Sequence, residues 1–548
     1  MKSLATLPGP GTFPTGEPGE LLVGRLVANA EFVRALHRHG SFEEFLFFVG
    51  ERREEDPLVR TLVDRLGMDG DRIRVLNRLR LPAALAAGRI SVLHQLSHVD
   101  AFSHLLVLRD RCAGATVPVT AQVHALSYPR LMQSYFATLL WPPAAHDAVF
   151  CSSEAGRRVV EAAFASARAA CERSFGGAPG LAWELPVIPL GVDVDSLGRG
   201  DRDRTRHELG LPADALVVLV MARFSEHDKM DLLPALQVFS ALLANPIQPA
   251  RPLYLLLAGA RQDAGAPEMV TRWAARLGIA NRLVTRVDFS RAEQPGLLAA
   301  ADIFLSPADN VQETFGLSVA EAMAAGLPVI ASDFDGYREL ITGETGILLP
   351  TRWAADPDWL TDLAPVLYER PLHLLLGQSI EVDLPAMARA LNDLARDDTR
   401  REAMGRAARA RARARFDWRV VIRAYEEVWR RLAAKPFRPE RPGREPAPLA
   451  MSYRALFAHY PSVEADTERI VRRLPLADAL CGPADRYPVY PELEEVFDEE
   501  DVTAAVGIAT EPVAVDQLSR ALEARWPPCE AWRARILVAW LLKHGLLG

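Results

Sequence analysis

The sequence predicts an α/β protein of two doubly wound domains facing a cleft, followed by a small, mainly helical C-terminal domain. Three observations carry the prediction. Two series of short apolar runs alternate with segments of helical period, a turn-rich charged stretch divides the series near residue 200, and a Pro-rich segment sets off roughly the last hundred residues.

In the first series "FEEFLFFVG", "ISVLHQLS", "VPVTAQVHA" and "HDAVFCSS" read as buried strands, with helical segments such as "GRLVANAEFVRALHRHG" between them. The second series is "ALVVLVMARFS", "PLYLLLAGA", "NRLVTRVDF", "ADIFLSP", "LPVIASD" and "TGILLP". Continuous apolar strands alternating with helices indicate parallel sheets covered on both faces. Ligands of such sheets bind outside the carboxyl ends of the strands, so two facing sheets place a cleft between the domains. The expected units are a first doubly wound domain over 1–200, a second over 201–415, a closing helix over 416–435, a Pro-rich linker over 436–449 and an accessory domain over 450–548. The end of the last unit, "QLSRALEARWPPCEAWRARILVAWLLKHGLL", resembles the core of a small winged-helix module. With 16 acidic and 10 basic side chains, residues 450–548 are acidic, which disfavours DNA binding and favours a structural or protein-docking role.

Composition narrows the function classes. Of 548 residues, 49% are hydrophobic and 24% charged, as in soluble globular proteins. A formal charge of −8 argues against a nucleic-acid partner. No run of 18 apolar residues suggests a membrane span, and "MKSLATLPGPGTFPTGEPGE" lacks the apolar core of a signal peptide. The five cysteines form no CxxC pair, so neither a zinc site nor a disulfide framework is implied. The expectation is a cytoplasmic protein, with peripheral association at the inner membrane left open. Arg60 to Arg89 is locally basic and reads as a solvated face, the other reading being a surface for a phosphate-rich ligand or a membrane.

The chemistry concentrates in two stretches. Only four of the 63 basic residues are lysine, and Lys229, in "ARFSEHDKMD", is the only one between Ser3 and Ala434. A compact ammonium on a flexible stem suits a phosphate. Arg223 precedes it at the end of an expected strand. In "QETFGLSVAEAMAAGLPVIASDFDG", a helix is expected from Gly316–Leu317 to Gly326. That places Glu313 in the preceding loop and Glu321 inside the helix, among alanines. Glu321 is therefore exposed, paired with an arginine or bound to a polar ligand. The N–H groups at the start of this helix form an anion site. Cations and a helix N-terminus converging on one sheet edge suit a diphosphate, and the carboxylates suit the hydroxyls of a ribose and a sugar.

"ETFGLSVAEAMAAGLPVIAS" resembles the Glu-x7-Glu signature of GT-B glycosyltransferases, most of all the retaining family 4. "ARFSEHDK" is similar to that family's Arg…Lys pair, "PVIPLGVDVDSL" to its interdomain segment, "DAVFCSSEAGRRVV" to the last strand and helix of its N-terminal domain and "RAARARARARFDWRVVIRAYEEVWRRL" to its closing helices. The resemblance spans roughly residues 20–435 and implies two Rossmann-like domains and transfer of a hexosyl unit from a nucleoside-diphosphate sugar to an acceptor that it does not identify. It implies that Arg223 and Lys229 neutralise the departing diphosphate and that the backbone at Phe315, Gly316 and Leu317 binds the distal phosphate. It further implies that Glu321 holds the ribose, Glu313 meets the donor sugar, and His124 in "VHALSYP" lies near that sugar. No cofactor and no bound metal are expected: Asp193–Asp195 and Asp333–Asp335 match Asp-x-Asp but read as turns. Base selection is expected from the backbone at Arg286–Phe289.

Three departures stand against the family pattern. The early strand and Gly-Gly loop look absent, with "PGELLVGRLVANAEFVRAL" and its Gly24 standing in near donor and acceptor. "RWAADPDWLTDLAPVLYERPLHLLLGQSIEVD" looks like an insertion, and the acidic C-terminal domain is additional. Two other readings are a GT-B-like epimerase or phosphorylase, the latter lacking a spare lysine for pyridoxal phosphate, and a non-catalytic nucleotide-sugar scaffold or sensor working through residues 450–548.

Overall fold

A computed structural model describes residues 1–9, 11–14, 24–97, 101–227, 229–244, 251–262, 265–367, 369–436, 450–463, 466–480 and 489–548. Its first sheet holds β1 (Ser3–Thr6), β2 (Glu44–Val49), β3 (Ile73–Asn77), β4 (Val92–Gln95), β5 (Val119–Gln122) and β6 (Ala148–Phe150), ordered β3-β2-β1-β4-β5-β6. The second holds β7 (Leu216–Met221), β8 (Leu253–Gly259), β9 (Leu283–Val287), β10 (Ile303–Ser306), β11 (Val329–Ser332) and β12 (Gly346–Leu349), ordered β12-β11-β10-β7-β8-β9. Neighbouring strands in both sheets are parallel. The chain thus folds twice into the same doubly wound topology. In each sheet the strand order reverses at the centre, between β1 and β4 and between β7 and β10.

The apolar runs fall where the periodicity puts them, as in β7, where all six residues are buried. One expectation is corrected: the early strand is present. β1 is only four residues, "SLAT", flanked by no long apolar run, so its pattern is too short to read. Its neighbours β2 and β4 bury it fully, and Gly9 and Gly11 follow it. β3 was also illegible, because only Ile73 and Asn77 of "IRVLN" are buried.

The interdomain segment does not divide the cores at residue 200. Val192, Val194 and Leu197 already pack in the core of the second domain. The closing helix Trp418–Ala433 returns to the first domain, where Trp418, Tyr425 and Trp429 pack with Phe32, Phe42 and Phe150. The two interdomain crossings are joined: Val192 N donates to Phe416 O at 2.7 Å and Trp418 N to Val192 O at 3.3 Å.

The expected insertion forms an antiparallel ribbon of β13 (Thr351–Trp353) and β14 (Ile380–Val382) that carries the helix Glu369–Gln378. Nearly all of the expected linker, 437–449, lies outside the described residues. The C-terminal unit is mainly helical, with helices Glu499–Ile508, Val515–Glu523 and Trp532–Lys543 around Leu518, Leu522, Leu537 and Leu541. Its acidic surface meets the first domain at Arg52 and, within the basic stretch 60–89, at Arg80. Glu494 pairs with Arg52, and Arg80 lies 3.5 Å from Glu495 and 4.0 Å from Glu530. Elsewhere in that stretch Arg72 donates to the carbonyls of His37 and Phe42, and Arg89 pairs with Glu44 at 2.7 Å. Among the described residues, no helix is long and apolar enough to cross a membrane.

The first domain contains a fully buried ion pair. Arg109 meets Asp147 through two 2.8 Å bonds, and Asp147 also accepts from the amides of Val119 at 3.0 Å and Ala144 at 2.9 Å. Removing one partner strands a buried charge. Arg109→Leu is expected to cost about 3–5 kcal/mol, read as a fall in the urea midpoint of the first domain.

Candidate functional site

The geometry begins with the sheet edges. Parallel strands hide their side chains on both faces, so exposed chemistry collects in the loops at their carboxyl ends, and a crevice opens where the strand order reverses. In the second sheet that point lies between β7 and β10. The loop after β7 carries Arg223 and Lys229, and the loop after β10 carries Glu313. Lys229 Nζ reaches Glu313 Oε2 at 2.5 Å, with both side chains mostly buried.

Glu313 also closes onto the helix behind it. Its Oε1 accepts from the amides of Gly316 at 2.9 Å, Thr314 at 3.3 Å and Phe315 at 3.4 Å. The helix Leu317–Ala325 begins there, and Gly326 at φ +90° ends it, as the sequence predicts. The carboxylate thus lies on the anion site of the helix N-terminus. Burial would push its proton affinity up, but Lys229 and the amides more than offset this and hold the carboxyl below its ordinary value. Gly316 makes the approach possible. It adopts φ +99°, and a Cβ there would stand 2.3 Å from the ring of Tyr337.

Tyr337 is a neighbour that sequence reasoning missed. Its hydroxyl, pushed well above its ordinary value by burial and by the Glu313 charge, stays protonated and donates to Glu313 Oε2 at 3.3 Å. It is also 2.8 Å from Ser306 Oγ at the end of β10. Arg223 is bonded to Gln262 across the β7–β8 edge, beside rather than on the Lys229–Glu313 pair.

Glu321 takes the arginine-paired form. Arg291 NH1 donates to one oxygen at 2.6 Å and Gln294 Nε2 to the other at 2.7 Å. The i, i+3 spacing of Arg291 and Gln294 after β9 was the available signal, but nothing in "SRAEQPG" tells which carboxylate it meets. The loop expected to select a base holds Asp288 at φ +54°, with the Arg261 amide donating to its carboxylate at 2.7 Å.

His124 follows β5 in the first domain. Asn29 Nδ2 donates to Thr12 O at 3.2 Å, which turns Asn29 Oδ1 towards His124 Nε2, at 3.0 Å; Leu96 O lies at 2.7 Å from the same nitrogen. Two acceptors there require Nε2 to carry the proton. Burial pushes the imidazole down to about 4, so it is neutral at pH 7. Asn29 and Leu96 also line a cavity of about 320 Å³ with Arg25, Arg78 and Gln95, at the reversal point between β1 and β4. Gly24 is exposed at the start of the helix Gly24–His39, and a Cβ there would meet nothing within 4 Å, so its own geometry does not demand glycine. A larger cavity of about 900 Å³ lies at the interdomain segment; Arg286, from the loop expected to select a base, lines it, and Lys229, Glu313, Glu321 and His124 do not.

The Asp-x-Asp matches are engaged locally. Asp193 accepts from the Ser196 amide at 2.9 Å, and Asp195 pairs with Arg413 at 2.7 Å. Asp333 pairs with Arg338 at 2.6 Å, and burial pushes the Asp335 carboxyl up to about 7.

Two doubly wound domains facing each other across their reversal points define the GT-B architecture. Residues 215–363 match the family model Glycosyl transferases group 1, and the fold of the chain is GT-B. Among solved structures, sucrose-phosphate synthase from Thermosynechococcus elongatus superposes with a TM-score of 0.52 over 79% of this chain and 100% of that one, at 19% identity. HepE from Anabaena, solved with UDP, gives 0.51 over 79% and 100%, at 18% identity. At these identities the likeness is one of fold. A D-inositol 3-phosphate glycosyltransferase from Geodermatophilus obscurus is 36% identical over 194 residues, 34% of this chain and 41% of the relative. A second, from Catenulispora acidiphila, is 33% identical over 201 residues, 36% of this chain and 44% of the relative. The chain therefore spans less than half the length of these curated relatives.

The site yields a pH prediction. A carboxyl whose folded value is depressed contributes stability above its unfolded value, near 4.3, and loses it as pH falls through the folded value. Acid unfolding of the wild type is therefore expected to steepen below about pH 4.3 relative to Glu313→Gln, which has no proton to gain. Parallel curves would show that Glu313 is not held in this charged pair.

Proposed function

We propose that the protein transfers a hexosyl unit from a nucleoside-diphosphate sugar to an acceptor, with retention of anomeric configuration. One observation carries the reading: Lys229 and the amides at Thr314–Gly316 surround a carboxylate oxygen pair at the reversal point of the second sheet, where a phosphate would find the same donors. An arriving diphosphate takes over these groups. Glu313, released from the helix, turns towards the donor sugar. As the bond from the anomeric carbon to the diphosphate breaks, positive charge grows on the sugar and negative charge on the leaving group. Lys229, Arg223 and the helix N-terminus stabilise the latter without reorganising. The leaving phosphate takes the proton of the acceptor hydroxyl on the face it departs from, so no separate carboxylate base is needed.

Glu321 keeps lone pairs beyond those used by Arg291 and Gln294, and these receive the ribose hydroxyls. Neutral His124 offers the sugar its free Nδ1 rather than a positive charge. The cavity with Arg25 and Arg78 receives the acceptor, and its two guanidinium groups suit one bearing negative charge. In this reading two fixed cations neutralise the diphosphate, and a metal is not required.

Calorimetric titration with UDP, GDP and ADP tests the reading. One of the three is expected to bind selectively, and Lys229→Ala to weaken it by about 10–100-fold, the worth of one charge-assisted bond. Absence of binding by all three to the wild type would overturn the donor site.

A further inference from the structure

The insertion carries a buried histidine that nothing above uses. His373 lies in the helix Glu369–Gln378 and is 2% exposed. Its ring stands between the two domains. Gln312 Nε2 lies 2.7 Å from Nδ1, and Ser127 Oγ lies 3.1 Å from Nε2. Tyr128 packs edge-on against the ring at 5.1 Å. Gln312 adjoins Glu313 in the second domain, and Ser127 follows His124 by three residues in the first. A buried imidazole needs partners for its nitrogens. Here the partners come from opposite sides of the cleft, so the ring ties the two domains together.

The same helix braces the donor-side loops. Asn310, fully buried, donates through Nδ2 to His227 O at 2.6 Å and to His373 O at 3.3 Å, while its Oδ1 accepts from the Gln312 amide at 3.0 Å. This joins the Lys229 loop, the Glu313 loop and the inserted helix at one side chain. Gly377 lets the helix approach: a Cβ there would stand 3.1 Å from Asn310 Nδ2 and 3.8 Å from Glu226 O. Gln378 adds a 3.4 Å bond to Asp231, two residues past Lys229.

We propose that His373 is a positioning residue, and the inserted helix a clamp, that together hold Lys229 and Glu313 in register with the His124 loop across the cleft. A leucine would fill the same space and join neither domain to the other. The effect on turnover rests on the transferase reading; the coupling of the two loops does not.

Hydrogen exchange on the full chain reads the coupling directly, in the peptides covering 124–128 and 310–316. In His373→Ala both peptides are expected to exchange several-fold faster. In Ser127→Ala, which leaves the helix intact, the 310–316 peptide, in the other domain, is expected to follow the 124–128 peptide. His373→Gln, able to donate and accept, is expected to restore most of the protection. Unchanged exchange at 124–128 in His373→Ala, or an effect of Ser127→Ala confined to its own domain, overturns the proposal. In turnover, His373→Ala is expected to lower kcat by about 10–100-fold, the scale of an ångström's misplacement, with donor KM nearly unchanged. A rise in KM alone would also overturn it. Failure of the transferase reading looks different: the wild type binds no nucleoside diphosphate while the two loops still exchange as one.

Discussion

Burial of two parallel sheets on both faces constrains everything else in this molecule. A strand such as β7 has no face left for polar work. Charge that must meet a ligand can stand only where strands end and the order of the sheet reverses. There, Lys229 and Glu313 are brought together from loops more than eighty residues apart in sequence, because β7 and β10 are neighbours. The ion pair is a result of topology before it is a feature of chemistry, and Gly316 and Tyr337 then shape the space it occupies.

The buried polar groups of the site are satisfied by one another. A carboxylate lies on amides suited to a phosphate, and an arginine and a glutamine occupy Glu321. His124 is held neutral by burial while its proton is committed to Leu96 and Asn29. Each arrangement satisfies a buried polar group within the chain.

How much of this was legible follows from length and locality. Runs of continuous apolar residues announced ten of the twelve sheet strands, and Gly326 announced the end of the helix behind Glu313. β1 was not legible, because four residues with Ser3 and Thr6 at their ends carry no period. Lys229 and Glu313 were legible as candidates through their residue types and through the family resemblance. Their partners were not. Tyr337, Arg291, Gln294 and Asn29 are ordinary residues whose meaning comes from which loop faces which. The insertion was visible as extra sequence, yet nothing in "ERPLHLLLGQ" says that His373 looks across the cleft. The acidic balance of residues 450–548 pointed to a structural or protein-docking role; in the structure that surface lies on the chain's own Arg52 and Arg80.

The two crossings between the domains meet at one place, where Val192 donates to Phe416 O and accepts from Trp418 N, on either side of Asp417. A chain that passes over twice at separate points would let its halves shear or twist. One that passes over twice at a single knot has a pivot. Cutting either crossing alone would leave the halves connected by the other, so any scheme that exchanges one half for that of a relative must move the closing helix together with the first domain.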